Sequence, residues 1–263
     1  MVALGSGSKG NCLVIEFGET RIAVDAGFGP RTLVKRLRTA GISPESISAC
    51  VITHEHLDHA QGALAARHRW RWTLVATPPT LGAIGAGIAT ARVRPTPAGR
   101  TETIGAIKVT LVPVPHDAIA PVAVLFEDTA SGARVGVAHD LGIVPAGLHD
   151  AFTRLDLLVL ESNHDMGMLR AGTYPLVLQG RIAGPRGHLS NLQAAHFAAR
   201  VAHKGLRGIL LAHLSRENNT PATALSTMNR ALRDVRFRGP VVAASQQHVT
   251  MIGEARTAQL ALF

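Results

Sequence analysis

The six residues His54-Glu55-His56-Leu57-Asp58-His59 constrain this chain more than any other stretch. They follow the apolar run ISACVIT, which reads as a buried strand. Side chains two apart on an extended chain face the same way, so the strand delivers His54 and His56 to one side. Asp58 and His59 then begin a helix. Four ligand-type groups converge within six residues, more than one metal ion commonly takes from one loop, and the spacing suggests two ions. It is not the H-E-x-x-H helix of the zincins, because position 58 is Asp and His59 falls one residue late.

Two ions need further donors, and the ends of other apolar runs offer them. His116 follows TLVPVP, Asp140 follows ARVGVAH and His213 follows GILLA. An α/β sheet places its site residues at such strand ends. CLVIEF and RIAVDAG read as a hairpin, and TLVAT, IKVTLVPV, VAVLFED, ARVGVAHD, LDLLVLES, GILLAHLS and VVAAS as strands. Helices are expected over Arg31 to Thr39, from the histidine motif to about Arg67, and from Thr220-Pro221 to Asp234. Ser190-Asn191-Leu192-Gln193 is a capping box opening a helix to about His203. Residues 78–103, rich in Gly, Ala and Pro, are expected to form a helix and loops. The whole, residues 1–263, reads as one α/β domain.

The segment LGSGSKGNC carries Gly5, Gly7 and Gly10 at the G-x-G-x-x-G spacing of a dinucleotide turn, with Asp25 downstream. That fingerprint needs a strand before the glycines and a helix after them. Here a strand follows Gly10, so a nicotinamide or flavin site is excluded. Two readings remain: a tight turn, or a loop whose backbone from Gly7 to Asn11, with Ser8 and Lys9, approaches a phosphate.

The chain has 27 Lys and Arg against 18 Asp and Glu, a formal net charge of +9, which favours anionic partners such as nucleic acid. Arg and Ala codons are rich in G and C, so part of this excess reflects base composition. Only two cysteines are present, too few for a disulfide framework, and MVALGSGSKG is not an export signal. A cytoplasmic protein is expected, with no membrane and no protein partner implied.

The pattern resembles the metallo-β-lactamase superfamily, whose motifs occur in order as Asp25 in AVDAG, THEHLDH, His116, Asp140 and His213. The resemblance implies an αβ/βα four-layer sandwich with two divalent metals, Zn or Mn, at one edge. It would have His54, His56 and His116 hold one ion and Asp58, His59 and His213 the other. Asp140 would bridge them, and Asp25 would orient the ligand loop from behind. Further strings, LGSGSKGNC, PVPHDAIAP, HDLG, ESNHD, YPLVLQGRI, GHLSN and LAHLSRENN, look like the YycJ/WalJ group of phosphodiesterases, associated with 5′-to-3′ exonuclease action on DNA. One departure is His139, where the group usually has Thr; its side chain is expected to point away from the site.

Glu161 and His188 sit where ribonuclease Z has a Glu and a Gly-His histidine that pair to protonate the leaving oxygen, which implies the same role here. In the implied mechanism a metal-bridging hydroxide, oriented by Asp58, attacks phosphorus. Ser8, Lys9, Asn11, Asn163, His164 and Arg181 are the expected substrate contacts, with Arg186 beside them and His164 a potential extra ligand. RHRWRW, Arg67 to Trp72, either stacks nucleobases or contributes its tryptophans to the core. The rival functions are a small-ester, thioester or lactone hydrolase on the same scaffold, an RNA-processing nuclease, and a non-catalytic DNA-binding module.

Overall fold

Alternation along the apolar runs sets the architecture. The computed structural model describes residues 1–88 and 90–253. Its first sheet is built from β1 (Val2–Gly5), β2 (Cys12–Phe17), β3 (Thr20–Val24), β4 (Ile47–Val51), β5 (Thr73–Ala76) and β6 (Val93–Pro95). The second holds β7 (Thr101–Ile104), β8 (Ile107–Pro113), β9 (Val122–Asp128), β10 (Arg134–Ala138), β11 (Leu157–Glu161), β12 (Gly208–Ala212) and β13 (Val241–Ala243). A last strand, β14 (Thr250–Met251), returns to pair antiparallel with β1.

Each central strand is apolar on both faces. Leu13 and Ile15 of β2 face the second sheet, whereas Cys12 and Val14 face helices. On β12, Leu210 and Ala212 face the first sheet and Ile209 and Leu211 face helices. A core therefore lies between the sheets. A second lies between the first sheet and the helices α1 (Pro30–Thr39), α2 (Leu57–Ala60), α3 (Ala63–Trp70) and α4 (Pro78–Ala83). A third lies under α5 (Ala146–Ala151), α6 (Met166–Ala171), α7 (Leu176–Ile182), α8 (Asn191–Val201) and α9 (Pro221–Asp234), chiefly α5, α8 and α9. This is the αβ/βα four-layer sandwich. Doubly covered strands explain why the sequence shows unbroken apolar runs rather than alternation with polar residues.

In the first sheet β3, β4, β5 and β6 run parallel, and in the second β10, β11, β12 and β13 do. β8 and β10 both run antiparallel to β9 and so share a direction. The ends of β3, β4, β8, β10, β11 and β12 carry Asp25, His54, His116, Asp140, Glu161 and His213.

Three differences from the sequence reading have local causes. Residues 78–103 contain, besides α4, the sheet-edge strands β6 and β7. Both are short, and much of each is exposed, so neither has an apolar run to betray it. The helix after the histidine motif breaks at Gln61-Gly62 into α2 and α3 because Gly62 packs on Ala26 and Phe28, where a Cβ would come within 2.3 Å of Phe28 O. Helices α5, α6 and α7 have six or seven residues each, too few to display a period. The capping box at Ser190 forms as expected, with both of its reciprocal bonds. No helix among the described residues is long and apolar enough to cross a membrane.

Candidate metal centre and cleft

The strand ends bring the seven expected donors to one place. His54, His56 and His116 form one group whose donor atoms lie within 4.8 Å of one another, and Asp58, His59 and His213 form a second. Asp140 joins both: it clusters with His54 and His59 on one side and with His188, His213 and Glu161 on the other. The chain bends sharply to achieve this. Asp25, Asp140 and His213 have φ of 61°, 56° and 52°, a left-handed conformation that costs a non-glycine residue energy and concentrates at functional sites.

Three of the donor histidines are aimed by a second group. His59 has Nδ1 2.7 Å from Asp25 Oδ2, which turns Nε2 toward Asp140 Oδ2 at 2.8 Å. Asp25 in turn accepts from Thr53 N at 2.8 Å and from Thr53 Oγ1. His54 Nδ1 lies 3.0 Å from Thr53 Oγ1. His116 Nδ1 donates to Gly187 O at 3.1 Å, which leaves its Nε2 for the site. Such outer partners fix tautomer and ring direction in metal-binding histidines.

The residues fit divalent cations on two physical grounds. Asp140 Oδ1 and His213 Nε2 are buried and take part in no well-directed hydrogen bond, although Asp140 Oδ1 lies 3.0 Å from His213 Nδ1 and 3.1 Å from His188 Nδ1. A buried carboxylate oxygen in that condition is costly unless a cation meets it. The protonation pattern agrees. Burial pushes the His54 and His116 imidazoles down, toward the neutral form that binds metals. Burial also opposes charge on His59 and His213, but the Asp140 carboxylate, with Asp25 or Asp58, outweighs it and raises both. Burial of Asp58 and Asp140 is likewise outweighed by these histidines, which hold both carboxyls low. Protons here do the work a metal would do.

Beside the donors, His188 Nδ1 lies 2.7 Å from Glu161 Oε1. Glu161 is fully buried, and its Oε2 accepts from Leu141 N and Leu189 N, both at 3.1 Å. Burial would raise this carboxyl, but His188 overrides it and brings it to about 2. The reciprocal effect outweighs the burial of His188 and raises that imidazole to about 9. His188 Nε2 is left toward a cleft of about 610 Å³, lined also by Ser8, His56, Asp58, Arg181 and Arg186.

The glycine loop proves to be a brace. Gly7 N donates to Asn11 Oδ1, Lys9 N to Gln246 Oε1, Gly10 N to Gly7 O and Asn11 N to Asp58 O, so these groups are not free for a phosphate. Asn11 is 2% exposed; its Nδ2 reaches Asp58 O and lies 3.1 Å from His59 Nε2. Ser6 Oγ accepts from His213 N at 2.8 Å. Ser6 and Asn11 thus hold both ends of the second donor group, and only their neighbourhood with the glycines marked them in the sequence. Gly27 is needed for the same closeness, since a Cβ there would lie 1.7 Å from Asp58 O.

The geometry corrects several expected substrate contacts. Asn11 is buried as described. Asn163 donates to His213 O at 2.9 Å and is also buried, so it positions His213. His164 is fully buried and lines no part of the cleft; burial lowers it to about 4, and neither ring nitrogen has a partner. Lys9 points into a neighbouring cavity. Of the six, Ser8 and Arg181 line the cleft. Arg181 Nη2 pairs with Asp117 at 3.0 Å on an exposed rim, and Arg186 Nε donates to His116 O. His139 does not point away: its Nε2 is 3.3 Å from Asp25 Oδ2 and its Nδ1 3.3 Å from Asp140 Oδ2, wedged between the two carboxylates. The left-handed turn at Asp140 rotates the strand end and defeats simple alternation. In RHRWRW, Trp72 is buried with Nε1 donating to Pro44 O, and Trp70 packs against the same core. The stretch precedes β5 and lies at the end of the sheet opposite the donors.

Comparison with known proteins follows the same lines. The profile of the Beta-lactamase superfamily domain matches residues 20–213. Exodeoxyribonuclease WalJ of Streptococcus pneumoniae serotype 2 is 32% identical over 231 residues, covering 86% of this chain and 85% of that protein. Exodeoxyribonuclease YycJ of Bacillus anthracis is 30% identical over 237 residues, covering 89% of each. Among solved structures, the metallo-β-lactamase fold protein YhfI of Bacillus subtilis superposes with a TM-score of 0.70 at 16% identity, over 95% of this chain and 98% of that one.

Proposed function

The chain belongs to the metallo-β-lactamase superfamily, in the group of WalJ and YycJ, and we propose that it is a metal-dependent phosphodiesterase acting as a 5′-to-3′ DNA exonuclease. The observation that carries this reading is the juxtaposition of two donor groups sharing Asp140 with a histidine, His188, clamped to a buried glutamate. His54, His56 and His116 would hold one ion; Asp58, His59 and His213 would hold another; Asp140 would serve both. Imidazole and carboxylate donors suit Zn or Mn. When bound, the pair would activate water and neutralise charge on the phosphate.

The chain's own groups perform the remaining tasks. Asp58, partly exposed at the cleft floor, orients the attacking water by accepting its hydrogen. His188, protonated at neutral pH by its contact with Glu161, donates from Nε2 to the departing 3′ oxygen. A thioesterase has less need of this acid, because a thiolate departs more readily than an alkoxide. Arg181 can exchange its exposed Asp117 partner for a substrate phosphate, since such surface pairs are weak. A cytoplasmic setting suits the two buried, unpaired cysteines.

The test is digestion of DNA and RNA, single and double stranded, labelled at either end, with Zn and Mn compared and a thioester panel run alongside. Chelator-sensitive release of nucleotides from the 5′ end of DNA is expected. Turnover of thioesters without phosphodiester cleavage would replace this reading with the esterase one.

A further inference from the structure

A second cavity, of about 480 Å³, lies beside the cleft and is unused in the mechanism above. Three loops serve both spaces. Ser8, His59 and His213 face the cleft, whereas Lys9, Gln61 and Arg216, one to three residues further along the same loops, face the second cavity. The glycine loop is the partition between them.

The second cavity has one sign of charge. Lys9, Arg36 and Arg216 line it, and no carboxylate does, whereas the cleft carries Asp58, Asp117 and Asp140. Arg36 is fixed at its edge. Its guanidinium donates to Leu4 O at 2.6 Å and Gln246 O at 2.9 Å and lies 4.3 Å over the Phe28 ring. The sequence makes room for it: a Cβ at Gly5 would sit 2.2 Å from its Nη1. These partners are neutral, so the positive charge stays uncompensated. Lysine and arginine ion pairs among the described residues involve Arg21, Lys108, Arg134, Arg181, Arg186 and Arg207, and none of the three cavity cations. Gln246 fastens the partition by accepting from Lys9 N and donating to Gly10 O, so the cations stand on a braced wall.

We infer that this cavity seats a backbone phosphate of the DNA strand next to the one being cut, with the strand crossing the Ser8–Lys9 partition. The inference rests on the nuclease reading and names where the polymer leaves the cleft. A small phosphodiester has nothing to place there, whereas a strand held in the cleft meets the second cavity as an intramolecular partner.

Neutralising a phosphate of a single strand releases counterions, with a slope of log K against log salt of about −0.7 per contact. The experiment is fluorescence anisotropy of a labelled single-stranded DNA oligonucleotide with a cleavage-resistant phosphorothioate backbone, bound to the metal-loaded protein over a salt series. The double variant Lys9→Gln, Arg216→Gln should flatten the slope by about 0.7, the share of the one phosphate seated there, and each single variant by less than that. Unchanged slopes in the double variant, with circular dichroism showing it folded, would overturn the inference. Cleavage by the wild type is judged separately. If it degrades DNA while the slopes stay fixed, only this site is lost. If the slopes move but the wild type cleaves no DNA, the nuclease reading is lost and the strand-binding site remains.

Discussion

The two walls of the cleft are built in opposite ways. On the donor wall, His54, His59, His116, Asp140 and His213 are all buried, and each of the four histidines is held by a named partner behind it. The facing wall includes α7, which buries none of its residues; Leu176 and Val177 are 82% and 79% exposed, and Arg181 is held only by a rim ion pair. Chemistry needs fixed distances and is written into a braced, dehydrated layer. In the proposed function, the α7 share of the substrate grip would fall to a surface with few internal constraints, where a polymer would displace weak contacts.

The sharpest way to break the contrast is at His188, which lies between the walls. His188→Ala should lower kcat by about 10²- to 10⁴-fold, the usual worth of a positioned acid. Elemental analysis should still find the wild-type metal content; loss of metal would make His188 a ligand instead. Behind the donors, Asp25→Asn should weaken metal affinity by about 10- to 100-fold while leaving the fold intact, because it removes the carboxylate that turns His59. Competition against a fluorescent chelator measures this, and an unchanged affinity would show that the brace is dispensable.

The protonation of the donor wall gives a smaller, signed effect. His59 and His213 are raised and their carboxylate partners lowered, so metal entering the metal-free protein must expel protons. Calorimetry in buffers of differing ionisation enthalpy should register net proton release, and apparent affinity should fall as pH falls. Uptake of protons, or no dependence on buffer, would contradict the charge pattern. On the facing wall the expected effect is smallest. Leu176→Ser and Val177→Ser should change stability by no more than about 0.5 kcal/mol. A larger loss in urea denaturation would mean that α7 is structurally committed like the donor wall.

The donor wall was the legible part. A histidine motif after a buried strand, and single His or Asp residues at the ends of apolar runs, announce themselves because burial makes strands continuous and chemistry sits at their ends. The bracing was less legible. Thr53, Ser6 and Asn163 act through hydrogen bonds to Asp25 and His213, partners distant in sequence, and a polar residue in a loop has too many alternatives for its bond to be read from the chain. His139 was misread because strand alternation stops at the left-handed Asp140, a turn that sequence does not display for a non-glycine residue. The edges β6 and β7 and the helices α5 to α7 are not legible because partly exposed strands and helices of under two turns carry no period.

The donors from His54 to His213 are arranged for a two-ion centre. Metal content by mass spectrometry, joined to anomalous diffraction at the metal edge, tests it most directly. Two ions per chain are expected, one among His54, His56 and His116 and one among Asp58, His59 and His213, with Asp140 touching both. A single ion, or ions seated away from Asp140, would contradict it.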